Sequence, residues 1–167
     1  MASSTPRADA NDPFTARRNG VFYPSGHAVL AVPEAQSQAL EQALQRGGFA
    51  QDRMRRLSPA EAVALMDLSA EEAGLLSRIV SAELKETEVL RQLAHDGAAL
   101  LIVKLDDDDK DALLRAAMGH HIRKAGYYHT LAIEELRIGS EEIPQESPYG
   151  VNEIPRAKPS DSQLTPK

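Results

Sequence analysis

The chain has 167 residues, of which 42% are hydrophobic, 26% charged and only 4% aromatic, and its formal net charge is −6. This length fits one domain of ordinary size with a largely aliphatic core, and the absence of cysteine excludes disulfides, thiolate metal sites and thiol catalysis. The negative net charge argues against general affinity for the nucleic-acid backbone, and no stretch has the ~20 continuous apolar residues that a membrane-spanning helix needs.

The two ends of the chain lack the periodicity of helices and strands. Residues 1–19 are rich in Ala, Ser, Asp, Arg and Pro, which predicts a disordered N-terminal segment. Residues 138–167 contain five prolines at a spacing that neither a helix nor a strand tolerates, which predicts a disordered Pro-rich tail. We therefore expect one domain at residues 20–137, with an insertion at residues 58–96.

The first half of this domain has the pattern of a strand, a helix and a second strand. The apolar run His27–Val32 predicts a buried strand, and the helix that follows begins after Pro33 and ends before Gly47. Proline at the start and glycine just past the end are typical of helix boundaries. Residues 49–57 then predict a more polar strand.

The second half repeats this pattern. An apolar run at 98–104 is followed by the acidic residues 106–109, a helix, and a predicted final strand at 127–136. Two such βαβ units predict an α+β fold, a ferredoxin-like four-stranded antiparallel sheet with both helices on one face. We expect the two apolar runs to be central strands and the two more polar strands to be edges.

Residues 58–96 predict a two-helix insertion. The capping-box spacing Ser-x-x-Glu occurs at Ser58 and again at Ser69, which predicts a short helix to Met66 and a long amphipathic helix to about His95. The helices of the βαβ units cover only one face of a sheet that is apolar on both. The inserted helices, a second subunit, or both must cover the other face, so we expect a homo-oligomer.

The stretches Gly26–Leu57 and Leu93–Leu136 resemble a loose group of small bacterial proteins, some of them called general stress proteins. These proteins share two βαβ units separated by an insertion. The most similar piece is Gly97–Asp107 together with the helix and strand that follow it. The resemblance implies the same architecture and a stress-related role, and it transfers no catalytic residues.

Four histidines are the candidate metal ligands of the sequence. His95 closes the inserted helix, His120 and His121 end the second repeat helix, and His129 enters the predicted final strand. Because the third and fourth strands of a ferredoxin-like sheet run parallel, all four imidazoles are expected at one end of the sheet. Imidazole is a common transition-metal ligand, so we predict that these residues bind a transition metal. The alternative is structural, since the macrodipole alone favours histidine in a last helical turn.

Two charged clusters have a structural interpretation. The run Asp106–Asp109, with Asp111, lacks the glycine and the later glutamate of a calcium-binding loop and is expected to cap a helix. Arg53, Arg55 and Arg56 form a compact basic cluster that we expect to be solvated on an edge strand. The predicted central strands contain no aromatic residue, so an RNA-recognition surface is not expected.

The sequence contains neither a phosphate-binding glycine loop nor a nucleophile elbow. We therefore favour a non-catalytic, self-associating or partner-binding cytoplasmic protein, with neither nucleic acid nor a membrane as its partner. No cofactor is expected apart from the metal of the histidine site. Two alternatives remain: a metal- or small-molecule-binding module that uses the histidine cluster, and a regulatory ligand-binding domain, which rests on fold analogy alone.

Overall fold

A computed structural model of the chain describes residues 12–76 and 82–138, without the side chains of 68–76 and 82. In these ranges the protein is α+β. The strands are β1 Arg17–Arg18, β2 Val21–Phe22, β3 His27–Pro33, β4 Met54–Leu57, β5 Ala98–Lys104, β6 Lys124–Tyr128 and β7 Ile133–Glu135. The helices are α1 Glu34–Arg46, α2 Pro59–Leu76, α3 Ala82–His95 and α4 Lys110–Ala117. Among the helices described, none combines the length and the apolar character needed to cross a membrane.

The main sheet has five antiparallel strands in the order β4–β5–β3–β6–β7. The two apolar runs are neighbours in it, with Leu30 opposite Leu101. The predicted antiparallel pairing of these runs is thereby confirmed. All side chains from Ala28 to Val32 are buried on both faces, as expected for a strand covered on both sides.

The predicted four-stranded sheet is wrong, because the single final strand predicted at 127–136 is a hairpin of β6 and β7. The chain reverses after Tyr128, and the backbone N–H of His129 donates to the carbonyl of Ala132 at 2.8 Å. β6 also begins earlier than predicted, at Lys124. Because β7 pairs with its outer side, β6 is an interior strand. The three-residue β7 forms the edge that we assigned to the fourth strand.

The helices of the two βαβ units pack on one face of the sheet, as predicted. α1 contacts β3, β4 and β5, and it also packs against α4. The closest approach involves Gly47, where an added Cβ would lie 2.8 Å from the Cβ of Ala116. Glycine is therefore required here for space, since its backbone φ is not in the left-handed region.

The inserted helices cover the opposite face. α2 and α3 pack against each other and against β5. Their apolar side chains, among them Met66 and Leu90, form one core cluster with Val29, Leu100 and Ile102 of the central strands. The second face is thus buried within the chain, which is one of the arrangements predicted, and burial of this face does not require a second copy.

Of the two helix starts predicted within the insertion, one is confirmed and the other is wrong. The capping box at Ser58 is confirmed: its N–H donates to Glu61 Oε1 at 2.9 Å, and the N–H of Glu61 donates to Ser58 Oγ at 3.1 Å. Ser69, predicted to start the second helix, lies inside α2. The flanking Ala, Leu and Glu residues are strong helix formers, so α2 continues to Leu76.

Part of the N-terminal segment that we predicted to be disordered is ordered. Residues 13–15 form a 3₁₀ turn, in which the Asp12 side chain accepts a hydrogen bond from the N–H of Phe14 at 3.0 Å. Arg17–Arg18 then pairs with β2 as a small ribbon. Residues 1–11 and 139–167, which hold the rest of the predicted disorder, lie outside the described residues. The β4 strand is also shorter than predicted, because residues 51–53 form a 3₁₀ turn.

Candidate functional site

Most aromatic residues of this aromatic-poor chain gather where β3 begins and β6 ends. Edge-to-face contacts join Phe14 to His27, Tyr23 to Tyr128, and Tyr127 to His129, with ring centroids 5.1, 5.0 and 4.5 Å apart. Phe22 also packs edge-on against Tyr128. We call this group the aromatic end of the sheet; its members are Phe14, Phe22, Tyr23, His27, Tyr127, Tyr128 and His129.

The turn between β6 and β7 is held firmly at the aromatic end. The buried Tyr23 hydroxyl lies within hydrogen-bond distance of the carbonyls of both His129 and Ala132. The guanidinium of Arg18 lies over the Tyr23 ring, 3.9 Å from its centroid. Burial raises the pKa of Tyr23, and Arg18 opposes that shift, so the phenol stays protonated near neutral pH and can donate.

A carboxylate joins the hairpin to α4. Glu134 accepts a hydrogen bond from His129 Nε2 at 2.8 Å, and both of its oxygens lie 2.9 Å from Lys110 Nζ. The hydrogen bond from His129, followed by that from Lys110, lowers the pKa of Glu134. The carboxylate therefore fixes the His129 ring, as a carboxylate does in many imidazole sites.

A second polar cluster lies between α3 and β6. Glu86 and Lys124 form a largely buried ion pair at 3.4 Å, and the Glu86 carboxylate lies next to Gly126 of β6. Burial raises the pKa of Glu86, although Lys124 opposes that shift. Burial, helped by the charge of Glu86, raises the pKa of Tyr128 well above its usual value of 10.0.

Of the four histidines predicted as metal ligands, three lie at the end of the sheet where β3 ends, and His129 lies at the opposite end. β6 runs antiparallel to β3, with Lys124 opposite Ala31 and Tyr127 opposite Ala28. His120 and His121 precede β6 and therefore lie where β3 ends, whereas His129 follows β6 and lies at the aromatic end. The predicted position of His129 is wrong because it rested on a strand that starts at Tyr127, which put His129 at the entry of the strand instead of its exit. Metal binding by these histidines stays a prediction.

The remaining three histidines are attached to different layers. His95 ends α3 on one face of the sheet, and His120 and His121 follow α4, which packs with α1 on the other. In the described part of the chain, no group of three or more His, Asp or Glu side chains is arranged to hold a metal ion.

The arginines predicted to be solvated on an edge strand do lie at the sheet edge and stay partly exposed, and each also forms an ion pair with a different segment. Arg53 bonds to Asp109 before α4, Arg55 to Asp12 in the N-terminal segment, and Arg56 to Glu41 on α1. The hydrogen bond from Arg53 also lowers the pKa of Asp109. Asp109 accepts from the N–H of Asp106 as well, so it closes the acidic loop. We predicted that these aspartates cap the helix; Asp109 does occupy the residue before α4, but its side chain makes no cap bond to the helix.

Sequence reasoning missed His27, Glu86 and Leu131. His27 was placed within an apolar run, and Glu86 is one of several glutamates on an amphipathic helix. A histidine inside an otherwise aliphatic strand was the only signal that pointed to this end. No model of a known protein family matches the chain, and neither a curated protein nor a solved structure matches it.

Proposed function

We propose that the protein is a non-catalytic binding protein that contacts a protein partner through the turn of the β6–β7 hairpin. The observation that carries this proposal is Leu131, which is 85% exposed at the tip of the turn. A single exposed leucine is ordinary on a protein surface. Leu131 differs because the turn that carries it is fixed from both sides.

The fixed turn reduces the entropy lost on binding. The Tyr23 hydroxyl donates its single hydrogen to the turn, within reach of the carbonyls of both His129 and Ala132, and Glu134 ties the hairpin to Lys110. A loop that is already ordered in its bound conformation loses less freedom when a partner docks. The contacts therefore support a recognition loop better than an incidental surface loop.

The chemistry of the turn defines the partner. Thr130 and Ala132 on either side of Leu131 are exposed and uncharged, while His129 and Glu134 lie further back. The partner we propose has an aliphatic pocket with an uncharged polar rim. Filling such a pocket with one leucine contributes about 1.5–3 kcal/mol, which corresponds to about 10- to 150-fold in affinity.

Site-specific photocrosslinking tests this proposal. We expect a photoreactive side chain at position 131 to give one discrete adduct in the producing cell, and the same side chain at the exposed Asp111 position on α4 to give none. Excess wild-type protein should suppress the adduct, and excess Leu131→Ser protein should not. Equal adducts at both positions, or equal competition by both proteins, would contradict the proposal.

A second copy of the chain is the first partner to test, because self-association is the form of binding that the sequence predicts. Sedimentation velocity of the purified wild type and of Leu131→Ser compares the two masses directly. A dimer that Leu131→Ser converts to a monomer identifies the partner as the chain itself. The stress-related role implied by the resemblance stays a prediction.

A second candidate function is small-molecule binding at Glu86, Lys124 and Tyr128. It is supported by the raised pKa values of Glu86 and Tyr128, because shifted pKa values cluster at functional sites. A thermal-shift screen against amino acids and nucleotides tests it, since a ligand of the native state raises the melting temperature. A shift that persists in Glu86→Gln would argue against this site.

A further inference from the structure

His27 is a buried imidazole covered by the N-terminal segment. Its side chain is 3% exposed, and the ring of Phe14 packs edge-on against it. Asp12 caps the turn that carries Phe14 and pairs with Arg55, whose guanidinium lies 4.9 Å from the Phe14 centroid. We call residues 12–16 the N-terminal cap. An ion pair, two ring contacts and a hydrogen bond from the N–H of Tyr23 to the carbonyl of Ala16, at 2.8 Å, hold this cap in place.

The hydrogen bonding of His27 favours its neutral form. Nδ1 donates to the carbonyl of Ser25 at 3.0 Å, so Nε2 carries the lone pair of the neutral ring. Nε2 is buried and has no hydrogen-bond partner among the described residues. Protonation would add an N–H that finds no acceptor while the cap is closed, and such a buried donor is costly. Burial accordingly lowers the pKa of His27.

The charged groups around His27 do not offset this cost. Lys104 lies directly opposite on β5 and repels an imidazolium. Asp12 of the cap attracts one, but its carboxylate is already paired with Arg55 of β4. On the β6 side, Tyr128 follows the strand partner of Ala28, and its raised pKa keeps it uncharged.

We propose that the N-terminal cap detaches from the sheet when His27 is protonated. Opening lets water reach Nε2 and supplies the acceptor that the closed arrangement lacks. This pH-dependent opening depends on the contact between residues 12–16 and β3. It operates whether or not Leu131 binds a partner.

The direction of the pH dependence follows from the lowered pKa. Because the pKa of His27 in the closed state lies below its usual value of 6.5, closure is fully favoured above that pH. The favourable contribution is lost as the pH falls through 6.5 toward the closed-state pKa. Within that window the ratio of closed to open protein changes about tenfold for each pH unit. Carboxylates of ordinary acidity remain ionised above about pH 5.

Nuclear magnetic resonance of the full-length protein between pH 8 and pH 5 tests the proposal. We expect the amide signals of Phe14, Thr15 and Ala16 to move toward the positions of an unstructured chain as the His27 ring titrates. In His27→Asn, which has no titrating ring, these signals should not move in this range. His121→Asn is the matched control at an exposed histidine at the other end of the sheet, and its cap signals should titrate as in the wild type.

Three results would overturn the proposal. They are cap signals that do not change with pH in the wild type, the same change in His27→Asn, and a wild-type His27 ring that titrates at or above pH 6.5. If His27→Asn does not fold, His27→Phe serves as the non-titrating variant. The ring titration of the wild type needs no substitution at all.

Discussion

Some polar atoms buried near the aromatic end have a hydrogen-bond partner, and others have none. Thr15 Oγ1, His27 Nε2 and the Tyr128 hydroxyl are buried without a hydrogen-bond partner among the described residues. The Tyr23 hydroxyl, only one ring away from that of Tyr128, is placed to bond with two carbonyls. The two tyrosines therefore offer a direct comparison between a satisfied and an unsatisfied phenol.

We expect Tyr128→Phe to raise the free energy of unfolding by about 1 kcal/mol, because it removes a buried donor that has no acceptor. Tyr23→Phe should lower it by about 0.5–1.5 kcal/mol, because it removes a hydroxyl that bonds to the hairpin. Urea unfolding at pH 7.5 measures both. Equal losses in the two variants would show that the Tyr128 hydroxyl is satisfied.

Close contact between α1 and α4 limits the residue that can follow α1. Gly47 is the first residue past α1, and its missing side chain lets the chain approach Ala116 on α4. The Cβ of an alanine at position 47 would lie 2.8 Å from the Cβ of Ala116, which is shorter than the distance between packed carbon atoms. Both contacting groups are backbone or first side-chain carbons, so neither can rotate away.

Gly47→Ala is therefore expected to destabilise the protein by about 1–3 kcal/mol, the usual range for overpacking. Ala116→Gly alone should cost up to about 1 kcal/mol through helix propensity. The double variant should be more stable than the sum of the two losses implies, because it removes the clashing methyl group. Strictly additive losses in urea unfolding would place the effect of Gly47→Ala elsewhere.

At the scale of the molecule, the sheet is covered by three separate parts of the chain. α1 and α4 cover one face, α2 and α3 cover the other, and residues 12–23 close the aromatic end. Arg53 and Arg56 pair with residues on the side of α1 and α4, and Arg55 pairs with the N-terminal segment. Single ion pairs that are this exposed contribute little to stability.

Removal of residues 139–167 tests the predicted domain boundary. All the packing described above lies within residues 12–138, so we expect the shortened chain to unfold at the same urea midpoint and with the same denaturant dependence as the full chain. The denaturant dependence matters because it reports the surface exposed on unfolding. A lower midpoint would show that the C-terminal residues stabilise the domain.

Local patterns in the sequence were sufficient to predict much of the fold. The apolar runs at 27–32 and 98–104, the Pro–Gly boundaries of α1 and the capping box at Ser58 each act over a few residues, and each is confirmed. The split of the last strand was not predictable in this way. Residues 127–136 contain neither glycine nor proline to mark a turn, and the hydroxyl that bonds to this turn comes from the distant Tyr23.

The sequence by itself determined the α+β class, the two repeated units, the pairing of the apolar strands and the absence of thiol chemistry. Only the tertiary structure decided where the histidines lie, what covers the second sheet face and which carboxylate each arginine binds. Periodicity reports which face of an element is apolar, because that depends on neighbouring residues. It does not report which distant residue that face meets, because long-range contacts such as Phe14 with His27 form only when the whole sheet is assembled.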